Sequence, residues 1–90
     1  MVFRSSVFFS GHVQGVGFRQ QVFSIAKGFE CTGWVKNLED GRVQLYLEGE
    51  REDVRAFIDA VVDELDVYIR SSEESSSTGD RLNQAFAIVP

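Results

Sequence analysis

In the stretch Gly11-His12-Val13-Gln14-Gly15-Val16-Gly17-Phe18-Arg19, three of the chain's eight glycines fall within seven residues and an arginine closes the run. Glycines at this density let a backbone turn tightly and bring its N–H groups close to a ligand. The apolar run Val7-Phe8-Phe9 precedes the loop and an amphipathic segment follows it. A strand that feeds such a loop into a helix N-terminus offers a concave set of donors backed by a positive dipole end, which suits an anion. Arg19 falls in the first turn of that helix, where the macrodipole favours carboxylates over cations. A bound anion would offset the unfavourable placement, so the stretch reads as an anion site.

Other chemistries fail on inspection. No Gly-Lys-Ser/Thr follows the loop, and reading Gly15-x-Gly17 as a dinucleotide fingerprint puts Gln20 where the third glycine belongs. His12 is the single histidine, has no nucleophile partner fixed by spacing, and reads as a loop residue. One cysteine and one histidine cannot make a zinc site, so no metal is expected.

The elements that must position the loop follow from periodicity. Residues 3–10 read as a strand. Phe18, Val22, Ile25, Ala26 and Phe29 form the stripe of a helix that ends at Gly28. A second strand covers Cys31 to Asn37, and Leu38-Glu39-Asp40-Gly41 carries a tight-hairpin signal. Arg42 to Glu48 alternates, with Val43, Leu45 and Leu47 on one face and Gln44, Tyr46 and Glu48 on the other. Residues 51–65 are the clearest helix, striped by Val54, Phe57, Ile58, Val61, Val62 and Leu65. Val67 to Ile69 reads as a short fourth strand, Ser71 to Asp80 as a polar loop, and Ala85 to Val89 as a closing edge strand with Phe86 and Ile88 inward.

The order β-α-β-β-α-β, with an extra C-terminal strand, predicts an α+β fold: a ferredoxin-like α/β sandwich with two helices on one face of an antiparallel sheet of four to five strands. In that topology strands one and two run the same way with another strand between them. Their C-terminal ends share one edge of the sheet, which brings Arg19 and Asn37 together. Main-chain amides, one guanidinium and one carboxamide can stabilise phosphoryl charge and hold a water. They supply no strong acid, so the leaving group must depart unaided. An acyl phosphate qualifies, since it expels a carboxylate whose conjugate acid has a pKa of about 4.

Composition sets the outer bounds. Ninety residues with 43% hydrophobic content and eight Phe make a single domain, residues 1–90, with a real core. The net charge of −5 argues against nucleic acid as a partner. All fourteen acidic residues lie at or beyond Glu30, leaving Arg4, His12, Arg19 and Lys27 alone around the glycine loop. No apolar run approaches the roughly 18 residues of a membrane span. The acid-free first 29 residues could suggest a transit peptide, but the glycine loop and a helix of the fold lie inside them. A lone Cys31 fits a reducing, cytoplasmic compartment and reads as a small buried residue.

Taken together, Gly11-His12-Val13-Gln14-Gly15-Val16-Gly17-Phe18-Arg19, Gly33-Trp34-Val35-Lys36-Asn37 and Asp40-Gly41-x-Val43 resemble the signatures of the acylphosphatase family. The resemblance is strong over residues 3–65 and weak in the tail. It implies a metal-independent hydrolase of the carboxyl–phosphate bond of acyl phosphates, without a cofactor. The expected partner is a small acyl phosphate or inorganic phosphate, and the expected state a cytoplasmic monomer. The family's phosphate-binding arginine falls on Arg19 and its water-orienting asparagine on Asn37. Its phosphate loop falls on Val13, Gln14, Gly15, Val16, Gly17 and Phe18. Two departures stand out. Asp66-Val67-Tyr68 replaces a common Gly-Pro step, and the Ser-rich segment after Ile69 is atypical.

Three alternatives share parts of this pattern. A non-catalytic module, or the head domain of a maturation protein, would bind a phosphate-bearing ligand through the same loop. In such maturation domains a proline typically follows the Phe-Arg pair, where this chain has Gln20. An RNA-recognition domain shares the strand order, but Arg42 to Leu47 offers one aromatic where that family needs a glycine-aromatic run.

Overall fold

Strand alternation sets the layers. In the computed structural model, which describes residues 1–90, β1 (Val2–Gly11) buries Phe3, Ser5, Val7 and Phe9 and turns Arg4, Ser6 and Phe8 to the opposite face. β2 (Thr32–Asn37) buries Gly33 and Val35; β3 (Val43–Gly49) buries Val43, Leu45 and Leu47 on the same side. Two helices cover that side. α1 (Phe18–Ala26) contributes Phe18, Val22 and Ala26, and α2 (Arg51–Glu64) contributes Val54, Phe57, Ile58 and Val61. Glu52 and Asp53 in the first turn of α2 complement its dipole.

The sheet is completed by β4 (Ile69–Gly79) and β5 (Phe86–Val89), and its order is β4-β1-β3-β2-β5. This is the expected ferredoxin-like arrangement, with β3 between the like-directed β1 and β2. The rings of Phe57 and Phe86 lie 5.5 Å apart and seat β5 against α2.

Two expectations need correction. The sheet is mixed: β5 pairs with β2 in parallel, while every other pairing is antiparallel. The second concerns Ser71 to Asp80: all of it but Asp80 is the body of β4 and no loop. It pairs with β1 from Val2 opposite Gly79 to Ser10 opposite Ser71. The residues expected to form a short fourth strand, Val67 to Ile69, instead close a 3-10 turn (Asp66–Tyr68), and β4 begins at Ile69. No helix covers β4, so both of its faces stay exposed and its side chains carry no apolar alternation. Backbone pairing to β1 is enough to make it a strand.

Because β4 and β5 lie at opposite edges of the sheet, the segment 80–85 must cross three strands. Four inter-strand spacings amount to about 19 Å. Seven steps of chain, Gly79 to Phe86, reach at most about 23–25 Å. The crossing is therefore nearly taut, and it passes over the face of the sheet opposite the helices.

Glu48 lies at mid-span. Its position on β3 puts it on the outer face, as the alternation implies, yet its side chain is 0% exposed because the crossing segment covers it. The carboxylate accepts from the backbone N–H groups of Leu82 (2.6 Å) and Asn83 (2.9 Å). It also accepts from the Tyr46 hydroxyl (3.0 Å), the Thr32 hydroxyl (3.1 Å) and the Asn83 amide (3.3 Å). Burial alone would push this carboxyl up; the Leu82 and Asn83 N–H donors, with Tyr46 and the Asn83 amide, outweigh it and hold Glu48 below its ordinary value. Burial and the bond to Glu48 push the Tyr46 hydroxyl up.

A carboxyl whose folded value is depressed stabilises the fold above its unfolded pKa of about 4.3 and loses that contribution as pH falls through the folded value. Thermal unfolding followed from neutral pH into the acid range should thus show a shallower acid loss in Glu48→Gln than in the parent chain. Parallel acid limbs would remove Glu48 from the account.

Candidate active site

The site is built where β1 hands over to α1. The His12 N–H donates to the Tyr68 carbonyl at 2.9 Å, fixing the start of the loop. Val13 is fully buried and anchors the loop in the core. The Gln14 amide donates to the carbonyls of Leu38 (2.8 Å) and Arg42 (3.0 Å), tying the loop to the hairpin that joins β2 and β3. Gly15 and Gly17 have φ of 78° and 79°, a left-handed conformation that side chains disfavour. Val16 leans on the core, and Phe18 is buried with its ring 5.5 Å from that of Phe9.

This geometry leaves a row of donors free. None of the backbone hydrogen bonds outside the regular elements is donated by residues 14–20; the first N–H that α1 itself uses is that of Gln21, bonded to the Gly17 carbonyl at 3.1 Å. No side chain caps the helix, and its first turn holds no acid. Unpaired N–H groups at the positive end of a helix dipole are an anion-binding arrangement.

Arg19 stands beside them. Its Nη1 donates to the Val89 carbonyl at 3.1 Å, so β5 fixes the guanidinium and leaves its other N–H groups for a ligand. Asn37 ends β2 opposite Val43 and is held there by the ladder. Gly15, Gly17, Phe18, Arg19, Gln20, Asn37 and Ile88 together line one cavity of about 150 Å³. This lies well below the roughly 300 Å³ at which pockets for drug-sized ligands begin, and suits a compact anion.

Of the residues singled out from sequence, Gly15, Gly17, Phe18, Arg19 and Asn37 meet at this cavity. Val13, Gln14 and Val16 do not line it. The Val13 and Phe18 side chains face the core, so these two residues can reach a ligand only through their backbone. Gln14 is spent on the hairpin. Replacing it by alanine removes two hydrogen bonds, each worth about 0.5–1.5 kcal/mol net. Urea unfolding of Gln14→Ala should register about 1–3 kcal/mol of lost stability, and phosphate affinity should fall as the loop detaches from Leu38 and Arg42. Sequence reasoning missed the Val89 carbonyl, Ile88 and Gln20. Only the strand pattern at the C-terminus hinted at the first two, and it did not give the register.

The acylphosphatase family profile matches residues 5–88. The chain belongs to the acylphosphatase family. An acylphosphatase of Roseiflexus sp. is 49% identical over 55 residues, which are 61% of this chain and 59% of that protein. One from Pseudomonas paraeruginosa is 56% identical over 46 residues, 51% of this chain and 50% of that protein. The chain thus spans about half to three-fifths of the length of these curated relatives. The similarity in structure is more complete. The crystal structure of acylphosphatase from Bacillus subtilis superposes with a TM-score of 0.88 at 30% identity, covering 98% of this chain and 99% of that one. No helix of this acylphosphatase-family chain is long and apolar enough to cross a membrane.

Proposed function

We propose that this chain hydrolyses acyl phosphates to a carboxylate and inorganic phosphate, with Arg19 and Asn37 as catalytic residues and the 13–18 loop as the phosphate cradle. The observation that carries this reading is the single cavity shared by Arg19, Asn37 and the free N–H row at the start of α1.

In the proposed reaction, the phosphoryl oxygens accept from the loop N–H groups and from the guanidinium of Arg19, whose bond to Val89 pre-orients it. Asn37 both donates and accepts through its carboxamide and aims a water at phosphorus, opposite the acyl oxygen. The water oxygen forms the new P–O bond as the old one breaks, and the acyl oxygen leaves with the electron pair as a carboxylate. The water's proton passes to a phosphoryl oxygen and ends on the phosphate product. With a leaving group of pKa about 4, the step needs neither a general acid nor a Lewis acid. A cytoplasmic monomer that releases inorganic phosphate completes the reading; the lone Cys31 supports the reducing compartment.

Benzoyl phosphate hydrolysis, followed with and without a chelator, tests this directly. The expected result is turnover at the same rate in both. Absence of turnover in the parent chain would reject the enzyme reading, and phosphate binding retained without turnover would mark a non-catalytic binding module.

A further inference from the structure

We infer that Glu48, on the face of the sheet opposite the helices, is a positioning residue for Arg19, acting through the crossing segment 80–85 and β5. The inference rests on the functional reading above and names a residue that touches neither the phosphate cavity nor the helices.

The path is continuous. Glu48 grips two successive backbone N–H groups, those of Leu82 and Asn83, at the middle of a crossing that has little slack. Two residues further on, the Ala85 carbonyl accepts from the Gly33 N–H at 3.0 Å, which starts the pairing of β5 with β2. From there Phe86 to Val89 lie in register with Gly33 to Lys36. The strand delivers Ile88 to the cavity wall and the Val89 carbonyl to the guanidinium of Arg19. β5 has four residues, and its neighbour on one side is solvent. So short an edge strand depends on how its entry point is held, and the buried carboxylate holds the segment that leads into it.

The choice of a carboxylate also needs explaining. A buried charge with five hydrogen-bond donors is a costly way to fill space, and an apolar residue would often stabilise as well. It would also leave the Leu82 and Asn83 N–H groups unpaired. A carboxylate presents two oxygens, and Glu48 uses one for each of these amides. Asn83 adds its side-chain amide and Tyr46 its hydroxyl, so the segment is fixed in direction as well as in place. Glutamine keeps one acceptor oxygen and puts an NH₂ against the second amide, so it should hold the segment only partly.

Three variants test the assignment: Glu48→Gln, Glu48→Ala and, as a control of comparable instability, the α2 core substitution Val54→Ala. Each is measured while folded, by phosphate titration, by benzoyl phosphate kinetics and by NMR relaxation of the Arg19 Nε–H. If Glu48 positions Arg19, the Glu48 variants weaken phosphate binding and raise KM on the order of 10- to 100-fold, the scale of a small misplacement of a binding group, with a smaller change in kcat. The Arg19 Nε–H signal becomes mobile in the same variants, and Glu48→Gln falls between the parent and Glu48→Ala. Val54→Ala lowers the melting temperature without moving phosphate affinity. Unchanged phosphate affinity and Arg19 mobility in folded Glu48→Gln would overturn the proposal and leave Glu48 a purely structural group. Should Glu48→Ala not fold, Glu48→Gln decides alone. If the parent chain binds phosphate but hydrolyses nothing, the functional reading fails, while the titration and relaxation arms still report on Glu48.

Discussion

Arg19→Lys is expected to lower kcat/KM for benzoyl phosphate on the order of 10²–10³-fold, the scale of one lost oxyanion donor. The charge survives this change, so simple Coulomb attraction would predict little loss. The geometry predicts otherwise. The guanidinium spends Nη1 on the Val89 carbonyl and keeps its remaining N–H groups in a rigid plane, which the proposed mechanism assigns to the phosphoryl oxygens. An ammonium group has three donors around one point and a shorter reach. It can satisfy Val89 or the ligand well, but it cannot hold both in a fixed fork. Donors that hold the phosphoryl oxygens equally in the ground and transition states register their loss in KM, and a fall in kcat measures how much further they tighten in the transition state. Full activity in Arg19→Lys would show that charge alone is sufficient and reject the bidentate role.

Asn37→Ala should separate binding from chemistry. Asn37 sits at the end of β2, half-exposed and held by backbone pairing to Val43, so its side chain can be removed with little effect on the fold. The loop N–H groups and Arg19 remain in place, so phosphate affinity should change little. In the proposed mechanism what is lost is the group that orients the water, and kcat should fall on the order of 10²–10³-fold. A variant that loses phosphate affinity to the same degree as kcat would make Asn37 a binding residue and leave the attacking water without an orienting group.

The two residues converge for a reason that could be read before any coordinates. Arg19 lies just beyond the loop after β1 and Asn37 ends β2, and the split β-α-β topology puts both strand ends on one edge of the sheet. Local spacing was enough because each half of the site is a short segment attached to a regular element. The third contributor, β5, came from elsewhere. Its four residues pair in parallel with β2, and register between segments some fifty residues apart leaves no local trace. Glu48 was hidden for a related reason: alternation put it correctly on the outer face, but only the crossing segment makes that face an interior. β4 was missed because periodicity reports burial. With both faces in water, Ser71 to Gly79 had no apolar residues to alternate.

That same strand bears on whether copies of the chain stick together. β4 is long, and its outer edge presents unpaired N–H and C=O groups, the usual template on which further strands assemble. A second copy laid antiparallel along its full length would bring serines against one another and bury no apolar side chain of β4 beyond Ile69. Backbone pairing would then have no greasy surface to support it. The poverty in apolar residues that disguised this strand thus leaves the open border of the sheet a poor place for another chain to add.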